Sequence, residues 1–257
     1  MILTADYHTH TTYSHGKGGV IDNAISAKEK GLIELGITDH GFSHPAFGLR
    51  KRKISSYLQD CKNATTQTGV KVLVGIESNI TSTNGGVDLK PNMYDKFDIF
   101  LAGIHKFIMY KFASWFSLSI PNLFCSTLKM DKVPKSLIKS NTKAFVEVIK
   151  KNPVDIITHL NFCCFADVVE VAKVAADYGT YLELSSKKIH FSDEEFYKVC
   201  KTGVNFVISS DAHSPNRVAE ISLIEQTLNR IDFPLDRIKN IDGRLPDFRF
   251  NAFKEGR

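Results

Sequence analysis

The sequence has few cysteines and no segment that resembles a targeting signal. Its five cysteines are odd in number and include no C-x-x-C pair, which predicts neither a disulfide framework nor a zinc ribbon. No basic stretch followed by a long apolar run opens the chain, so we expect no signal peptide. These absences favour a cytoplasmic protein.

The sequence also lacks the dense positive charge that is typical of nucleic-acid-binding proteins. The formal net charge of the 257 residues is +5, and the longest basic cluster, residues 50–53, is short. No G-x-G-x-x-G or phosphate-binding loop follows the first predicted strand, which argues against a nucleotide-binding fold. A small anionic molecule is therefore a better candidate ligand than nucleic acid.

Long hydrophobic runs are scarce as well. One stretch, residues 107–125, approaches the length of a membrane span, but it contains Lys111, Pro121 and Asn122. We therefore expect no membrane partner. The segment of residues 107–139 is too long for a simple connection. We interpret it as an apolar insertion that forms a lid or a contact between subunits of an oligomer.

The rest of the sequence alternates short apolar runs with amphipathic stretches. The apolar runs are typical of buried parallel strands and occur at residues 3–7, 34–37, 71–76, 99–103, 155–158, 181–184 and 205–208. Helical spacing of apolar residues is found at residues 20–30, 140–150, 167–178, 194–201 and 219–230. This order predicts a single α/β domain over residues 1–257, as a closed barrel or as an open doubly wound sheet.

Seven of the nine histidines, one glutamate and one aspartate come at or after the ends of the predicted strands. In α/β barrels this end carries the active site. Side chains two residues apart on a strand share a face, so His8 and His10 can bind one ion together. The nine residues are His8, His10, His15, His40, Glu77, His105, His159, Asp211 and His213.

This set of side chains predicts a metal site. Buried imidazoles that converge without partners are costly, and bound cations remove that cost. Imidazole and carboxylate ligands suit zinc, manganese or iron. Because a tetrahedral ion takes about four ligands, nine candidate ligands indicate two to three divalent transition metal ions.

Six short motifs in the sequence resemble those of one known family, the PHP (polymerase and histidinol phosphatase) superfamily of metal-dependent phosphoesterases. In chain order they are residues 6–10 (DYHTH), 38–40 (TDH), 75–77 (GIE), 103–105 (GIH), 158–159 (TH) and 210–213 (SDAH). They span nearly the whole chain. The resemblance implies a distorted TIM-like (β/α)7 barrel with a trinuclear metal site.

The resemblance also implies how the nine ligands are shared among three ions. One ion takes His8, His10, Glu77 and Asp211, and Glu77 bridges to a second ion that takes His105 and His159. The third ion takes His15, His40 and His213. The sequence departs from the family after His159, where residues 160–164 (LNFCC) replace a turn of small residues.

Further residues are candidates for catalysis and for substrate binding. We expect Glu77, Asp39 and Arg217 to act in catalysis, with Asp39 and Asp6 orienting the imidazoles of the metal ligands. Basic side chains in the loops after the strands could contact a phosphate group. The candidates for substrate binding are Arg50, Lys106, Lys187 and His44.

Together these features predict a metal-dependent phosphatase that acts on phosphate monoesters of a small molecule. Histidinol phosphate is one candidate, because the resemblance includes histidinol phosphatases of similar length. Two alternatives stay open. One is a phosphodiesterase or 3′–5′ exonuclease, and the other is a non-catalytic metal-binding regulatory domain.

Overall fold

A computed structural model describes residues 1–128 and 133–256 of the chain. Seven strands form one parallel sheet in which each strand pairs with the next along the chain. This order is that of a barrel rather than of a doubly wound sheet. The strands are β1 Ala5–Thr9, β2 Glu34–Ile37, β3 Lys71–Asn79, β4 Ile99–Gly103, β5 Ile156–Ile157, β6 Tyr181–Ser185 and β7 Phe206–Ser209.

The sheet closes on itself, but β1 and β7 meet only near their carboxyl ends. There the His10 amide donates a hydrogen bond to the carbonyl of Ala212 at 2.8 Å. Lower down, where the two strands part, the side-chain amide of Asn240 donates to Ala5 and Ile208 carbonyls at 2.8 and 2.7 Å. The result is a nearly closed barrel with surrounding helices, which confirms the predicted distorted (β/α)7 fold.

Helices connect the strands around the outside of the barrel. Several end where a glycine adopts a left-handed conformation, as at Gly69 (φ 78°) and Gly179 (φ 70°). The helices are α1 Val20–Glu29, α2 Ile54–Thr68, α3 Phe112–Ser114, α4 Ile120–Thr127, α5 Lys135–Lys151, α6 Val168–Tyr178, α7 Asp193–Cys200, α8 Ser222–Arg230 and α9 Arg249–Lys254.

The barrel interior is apolar at its amino-terminal end and polar at its carboxyl end. The apolar half is filled by inward-facing side chains from the strands, among them Tyr7, Leu101 and Val207. Phe248 closes the lower opening, with its ring centroid 4.9 Å from that of Tyr7. Because the lower half is filled, the polar side chains at the upper end have a fixed floor.

The segment after residue 233 crosses the bottom of the barrel and ends in α9. A buried carboxylate, Asp155, anchors it there by accepting amide hydrogen bonds from Phe100 and Phe250, both at 2.9 Å. Burial raises the pKa of Asp155 to about 7. The tail thus ends in a short helix that covers Asp155.

The stretch between β4 and α5 contains α3, a π-helical turn (Trp115–Ser119) and α4. Residues 129–132 of the expected insertion lie outside the described residues. Among the helices of residues 1–128 and 133–256, none has the length and hydropathy needed to cross a bilayer.

Candidate metal centre

The nine candidate ligands lie together at the carboxyl end of the barrel. Glu77 occupies the centre of the group and is fully buried. One of its oxygens, Oε1, lies 2.8 Å from His159 Nε2 and 3.1 Å from His105 Nε2. The same oxygen lies 3.3 Å from His8 Nε2, while Oε2 lies 2.7 Å from His40 Nδ1. Residues far apart in the chain therefore meet at one carboxylate.

A second group of candidate ligands surrounds Asp211. Its Oδ1 lies 3.3 Å from His10 Nε2 and 3.3 Å from His213 Nδ1. The His10 Nε2 atom is also 3.0 Å from His8 Nε2. His10 and His8 thus link the carboxylates of Asp211 and Glu77 into one continuous cluster.

Four groups of three residues bring their ligand atoms within 4.8 Å of one another. They are His8–His10–Asp211, His8–Glu77–His159, His40–Glu77–His105 and His10–His40–His213. Among the described residues, His15 is the one candidate that joins none of these groups. Its ring instead stacks on His40, with the centroids 4.8 Å apart and an angle of 11°.

Several buried polar atoms of this cluster have no hydrogen bond. They include His10 Nδ1, His40 Nδ1 and Glu77 Oε2, although the last two atoms face each other at 2.7 Å. Buried polar atoms without partners are rare and costly in proteins. Because these atoms are nitrogen and carboxylate oxygen donors that face a common space, they fit a site for divalent transition metals.

The charge states of the cluster also suit cations. Burial lowers the pKa of His40 to about 3 and that of His15 to about 4, so both imidazoles are neutral and free to coordinate. Burial by itself would raise the pKa of Glu77, but the imidazoles of His105, His8 and His40 bring it well below its usual range. The centre therefore combines two neutral imidazoles with a charged carboxylate, while the neighbouring carboxylates raise the pKa of His8 and His159 above its usual value despite their burial.

Two of the candidate ligands have an unusual backbone conformation. The φ angles are 29° at His159 and 48° at Asp211, in the left-handed region that favours glycine. A non-glycine residue held there stores about 1–3 kcal/mol of strain. Strain of this kind at two metal-ligand candidates indicates that the site, rather than local backbone preference, dictates the conformation.

Sequence reasoning missed Glu183, the carboxylate that orients His8. Its Oε1 accepts a hydrogen bond from His8 Nδ1 at 2.6 Å, and its Oε2 accepts the His159 amide at 2.6 Å. A hydrogen bond at Nδ1 leaves His8 Nε2 free to bind an ion. The signal was present, since Glu183 is a lone charged residue in the middle of the apolar strand β6.

A second supporting residue, Asn79, fixes His105 in the same way. Its Oδ1 accepts a hydrogen bond from His105 Nδ1 at 2.8 Å, and its amide group donates to Asp88 at 2.7 Å. Asn79 follows Glu77 by two residues on β3, so both side chains point to the same face.

Replacing Glu183 with glutamine is expected to weaken metal binding by about 10- to 100-fold, the usual effect of losing a partner behind a ligand. Glutamine keeps the shape of the side chain but removes its charge and one of its two acceptors. Metal titration of the chelated protein by calorimetry measures the change, and excess metal should restore turnover. Unchanged metal affinity in the variant would show that Glu183 does not support the metal centre.

The structure corrects the expected role of two aspartates. The carboxylate of Asp39 accepts hydrogen bonds from the amide and hydroxyl of Thr11, at 2.8 and 2.6 Å, and from the hydroxyl of Ser14. Asp6 similarly binds the Ser210 and Ala219 amides. Backbone amides and hydroxyls, rather than imidazoles, thus occupy both carboxylates, which fix the backbone that carries the ligands.

Arg217 is not at the centre either. It is exposed on a short 3₁₀ turn, Pro215–Arg217, and lies outside the set of residues that lines the cavity above the cluster. The turn is held against α1, where the Ser26 hydroxyl donates to the Pro215 carbonyl at 2.6 Å. Arg217 is therefore not among the residues that line the cavity, and its role in catalysis stays a prediction.

The cavity above the cluster has a volume of about 280 Å³. Three of the four expected substrate-binding residues, Lys106, Lys187 and His44, line it. The fourth, Arg50, does not, because its guanidinium donates to the Pro45 carbonyl and braces the loop after His44. The remaining lining residues are His15, His40, Phe47, His105, Phe107, His159, Phe162, Cys163, Asp211 and His213.

Comparison with known proteins places the chain in a family. The model of the PHP domain matches residues 6–201. A protein of Caldanaerobacter subterraneus subsp. tengcongensis named "Probable phosphatase" is 28% identical over 254 residues, which cover 93% of this chain and 87% of that protein. A "Probable phosphatase" of Tolumonas auensis is also 28% identical, over 95% of this chain and 92% of its own.

A solved structure shares the fold. The crystal structure of histidinol phosphate phosphatase from Lactococcus lactis subsp. lactis, in complex with zinc, L-histidinol and phosphate, matches with a TM-score of 0.63. The match covers 96% of this chain and 100% of that chain at 14% sequence identity. The chain therefore belongs to the PHP domain family and is a metal-dependent phosphoesterase.

Proposed function

We propose that the protein hydrolyses phosphate monoesters of small molecules with the help of two to three divalent transition metal ions, zinc, manganese or iron. The observation that carries this proposal is the cluster of buried imidazoles and carboxylates around Glu77, at the floor of an open cavity. Histidinol phosphate is a candidate substrate, since the fold neighbour from Lactococcus lactis is named for it.

The cavity favours a small substrate over a polymer. Its volume of about 280 Å³ is at the lower end of the range of small-molecule sites. The aromatic residues Phe47, Phe107 and Phe162 line its mouth and limit its width. The cavity offers cationic side chains from Lys106 and Lys187 for one phosphate group, rather than a long basic groove.

The residues proposed to hold the ions are His8, His10, His15, His40, Glu77, His105, His159, Asp211 and His213. Metal ions in such a site lower the pKa of water and offset the negative charge of a phosphate. Glu77 is shared, because its two oxygens face imidazoles on opposite sides. Thr158 holds one of these oxygens in place through a hydroxyl hydrogen bond of 3.0 Å.

Lys187 is the residue best placed to bind the substrate phosphate. Its Nζ lies 3.0 Å from Asp211 Oδ2 and 3.2 Å from His213 Nδ1, and its side chain is about half exposed. The ammonium group therefore reaches from the solvent side of the cavity to the edge of the ligand cluster. A phosphate that enters the cavity meets this charge before it meets the ligands.

A phosphate-release screen on the metal-replete protein tests the proposed function. Sugar, amino-alcohol and nucleotide monophosphates are compared with a simple aryl phosphate and with a single-stranded oligonucleotide. We expect release from one or more small monoesters and little cleavage of the oligonucleotide. Preference for the oligonucleotide would indicate a phosphodiesterase, and no turnover of any ester would indicate a non-catalytic metal-binding domain.

Replacing Lys187 with glutamine is expected to raise KM about ten-fold, since a hydrogen bond to a charged group contributes about 1.5–3 kcal/mol and this one is partly exposed. Metal content should not change. Lys188 is a matched control, because it is also exposed but lies outside the lining of the site cavity. Equal effects of Lys187→Gln and Lys188→Gln on KM would refute the assignment.

A further inference from the structure

The segment between β4 and α5 exposes its apolar side chains to solvent. Of the twenty large apolar residues that are exposed in the described chain, eight lie within residues 107–128. Exposed apolar patches of this extent mark interaction surfaces. The eight residues are Phe107, Met109, Phe112, Trp115, Phe116, Ile120, Phe124 and Leu128.

Five of these residues recur at every fourth position, so they form one stripe along the helical segment. They are Phe112, Phe116, Ile120, Phe124 and Leu128, which we call the apolar stripe. The opposite side of the segment, with Ser114, Leu118, Asn122 and Cys125, is buried. Although Leu118 and Cys125 are buried, most of the large apolar side chains of this segment are exposed, whereas an ordinary surface helix buries its apolar face.

A pair of buried amides fixes this orientation. The Asn122 side-chain amide donates to Asn141 Oδ1 at 2.7 Å, and the Asn141 amide donates to Asn122 Oδ1 at 2.9 Å. Turning the stripe inward would break both hydrogen bonds and leave the buried Asn141 Oδ1 without its donor, since only the Asn141 amide has a second partner, the Phe165 carbonyl at 2.8 Å. The outward orientation of the stripe is therefore built into the packing of α4 on α5.

An apolar groove of about 300 Å³ runs beside the stripe, between α4 and the start of α5. Phe116 and Phe124 of the stripe line one side, and Leu137 lines the other. Such a groove fits an acyl chain, since the walls of the groove are mainly apolar and the groove opens to the same surface as the stripe.

The charge around the stripe is strongly positive. Residues 107–139, the expected insertion, contain five lysines and one aspartate, a net charge of +4. Lys111 is exposed beside the first residue of the stripe, and Lys135 and Lys139 are exposed beside the groove. The region that carries the apolar stripe thus has an excess of positive charge.

We propose that the apolar stripe and its lysines dock the protein on the surface of an anionic lipid bilayer. A helical face with phenylalanine and leucine, one tryptophan and flanking lysines is typical of segments that lie in the bilayer interface. This is a peripheral contact, and it differs from the sequence-based expectation of no membrane partner. It does not depend on the proposed function.

Charge also decides against a second copy of the chain as the occupant. Contact between the stripes of two subunits would bring two regions of charge +4 together, and this repulsion opposes association. An anionic bilayer attracts the same lysines, with about 1 kcal/mol for each lysine near the surface. The oligomer that the sequence suggested is therefore a competing outcome of the test.

The single tryptophan makes the test direct. Trp115 is the only tryptophan of the chain and lies in the patch with 39% of its surface exposed, so its fluorescence reports on this surface alone. The full-length protein is mixed with vesicles of phosphatidylcholine and phosphatidylglycerol in equal parts, or of phosphatidylcholine only. We expect a blue shift, quenching by brominated acyl chains and co-sedimentation with the anionic vesicles, all weakened by salt.

Two pairs of variants separate the contributions. The double variant Phe116→Ser, Phe124→Ser should lower vesicle binding at least ten-fold. The double variant Lys111→Gln, Lys139→Gln should lower vesicle binding by about 25-fold, since each lysine contributes about five-fold. Tyr197→Ser, Phe253→Ser is a matched control for the first, because the exposures of 64% and 57% resemble the 65% and 59% of Phe116 and Phe124. Lys62→Gln, Lys173→Gln controls for charge.

Metal content and turnover of a soluble aryl phosphate are measured in every variant, and we expect both to be unchanged. A Trp115 spectrum that does not respond to anionic vesicles would overturn the proposal. If the protein is then a dimer in sedimentation and the stripe variant is a monomer, a second copy covers the patch. If it is a monomer throughout, the patch binds some other partner and not lipid.

Discussion

The Glu77→Gln variant is expected to lose turnover by about 10³-fold or more, because metal ions in such a site supply several kcal/mol of transition-state stabilisation. Glu77 lies beside several candidate ligands at once. His40, His105 and His159 each have a ring nitrogen within 3.1 Å of its oxygens. Glutamine has the same shape but no charge. Elemental analysis should show fewer metal equivalents in the variant, and a phosphate-release assay measures the lost activity.

A second buried carboxylate of the barrel serves as the control. Glu34 lies at the start of β2, at the opposite end of the barrel from the cluster, and accepts a hydrogen bond from Tyr7 at 2.8 Å. Glu34→Gln changes a buried charge without touching the candidate ligands, so metal content and turnover should stay normal. Near-normal turnover in Glu77→Gln would mean that the site is not the one described.

Removing the metal ions from the unmodified protein is expected to abolish turnover and to lower Tm by roughly 8–16 °C. An ion at about 1,000 times its Kd stabilises the folded state by about 4 kcal/mol, and 1 kcal/mol corresponds to about 2–4 °C in a chain of this size. The loss of stability follows because buried atoms such as His10 Nδ1 and Glu77 Oε2 lack hydrogen-bond partners. Thermal scans before and after dialysis against chelator measure the shift.

Re-addition of zinc or manganese should restore both Tm and turnover. The Glu77→Gln variant controls for other effects of the chelator, since its Tm should respond much less. If the chelated and dialysed protein turns over substrate at the full rate, the reaction does not need metal and the account fails.

The strands could be predicted from the sequence, but the carboxyl ends of β1 and β3, which carry residues of the candidate site, were predicted too early in the chain. The apolar run at residues 3–7 predicted the first strand, whereas β1 continues to Thr9, and β3 continues beyond residue 76 to Asn79. In both cases the strand extends through polar residues of the candidate site. Hydrophobicity predicts the part of a strand that packs in the barrel, but it does not predict the polar part that belongs to the candidate site.

Helix α2 was missed for a related reason. Its buried positions, among them Tyr57, Cys61 and Ala64, have helical spacing, but serine, threonine and asparagine dilute the apolar pattern. Tyr57 nonetheless matters to the fold, because its hydroxyl lies 2.7 and 3.0 Å from the carbonyl oxygens of Ile37 and Gly75 and donates its one proton between them.

The candidate ligands could be predicted because strand order in a parallel barrel brings the carboxyl ends together. The same argument could not distinguish the basic residues that reach the cavity from those that do not. Arg217, Arg50 and Lys187 all follow strands, yet Arg217 lies outside the lining of the cavity and Arg50 donates to the Pro45 carbonyl, while Lys187 reaches the cavity. Where a long side chain points depends on loop contacts that leave no periodic signal.

Anomalous diffraction from crystals of protein purified without chelator tests the central claim most directly. We predict about two to three peaks at the absorption edges of zinc, manganese or iron, within about 2.0–2.3 Å of nitrogen and oxygen atoms of the nine residues. At least one peak should lie beside Glu77. A map without anomalous signal there, or one in which the imidazoles of His8, His105 and His159 point away from that carboxylate, would contradict the account.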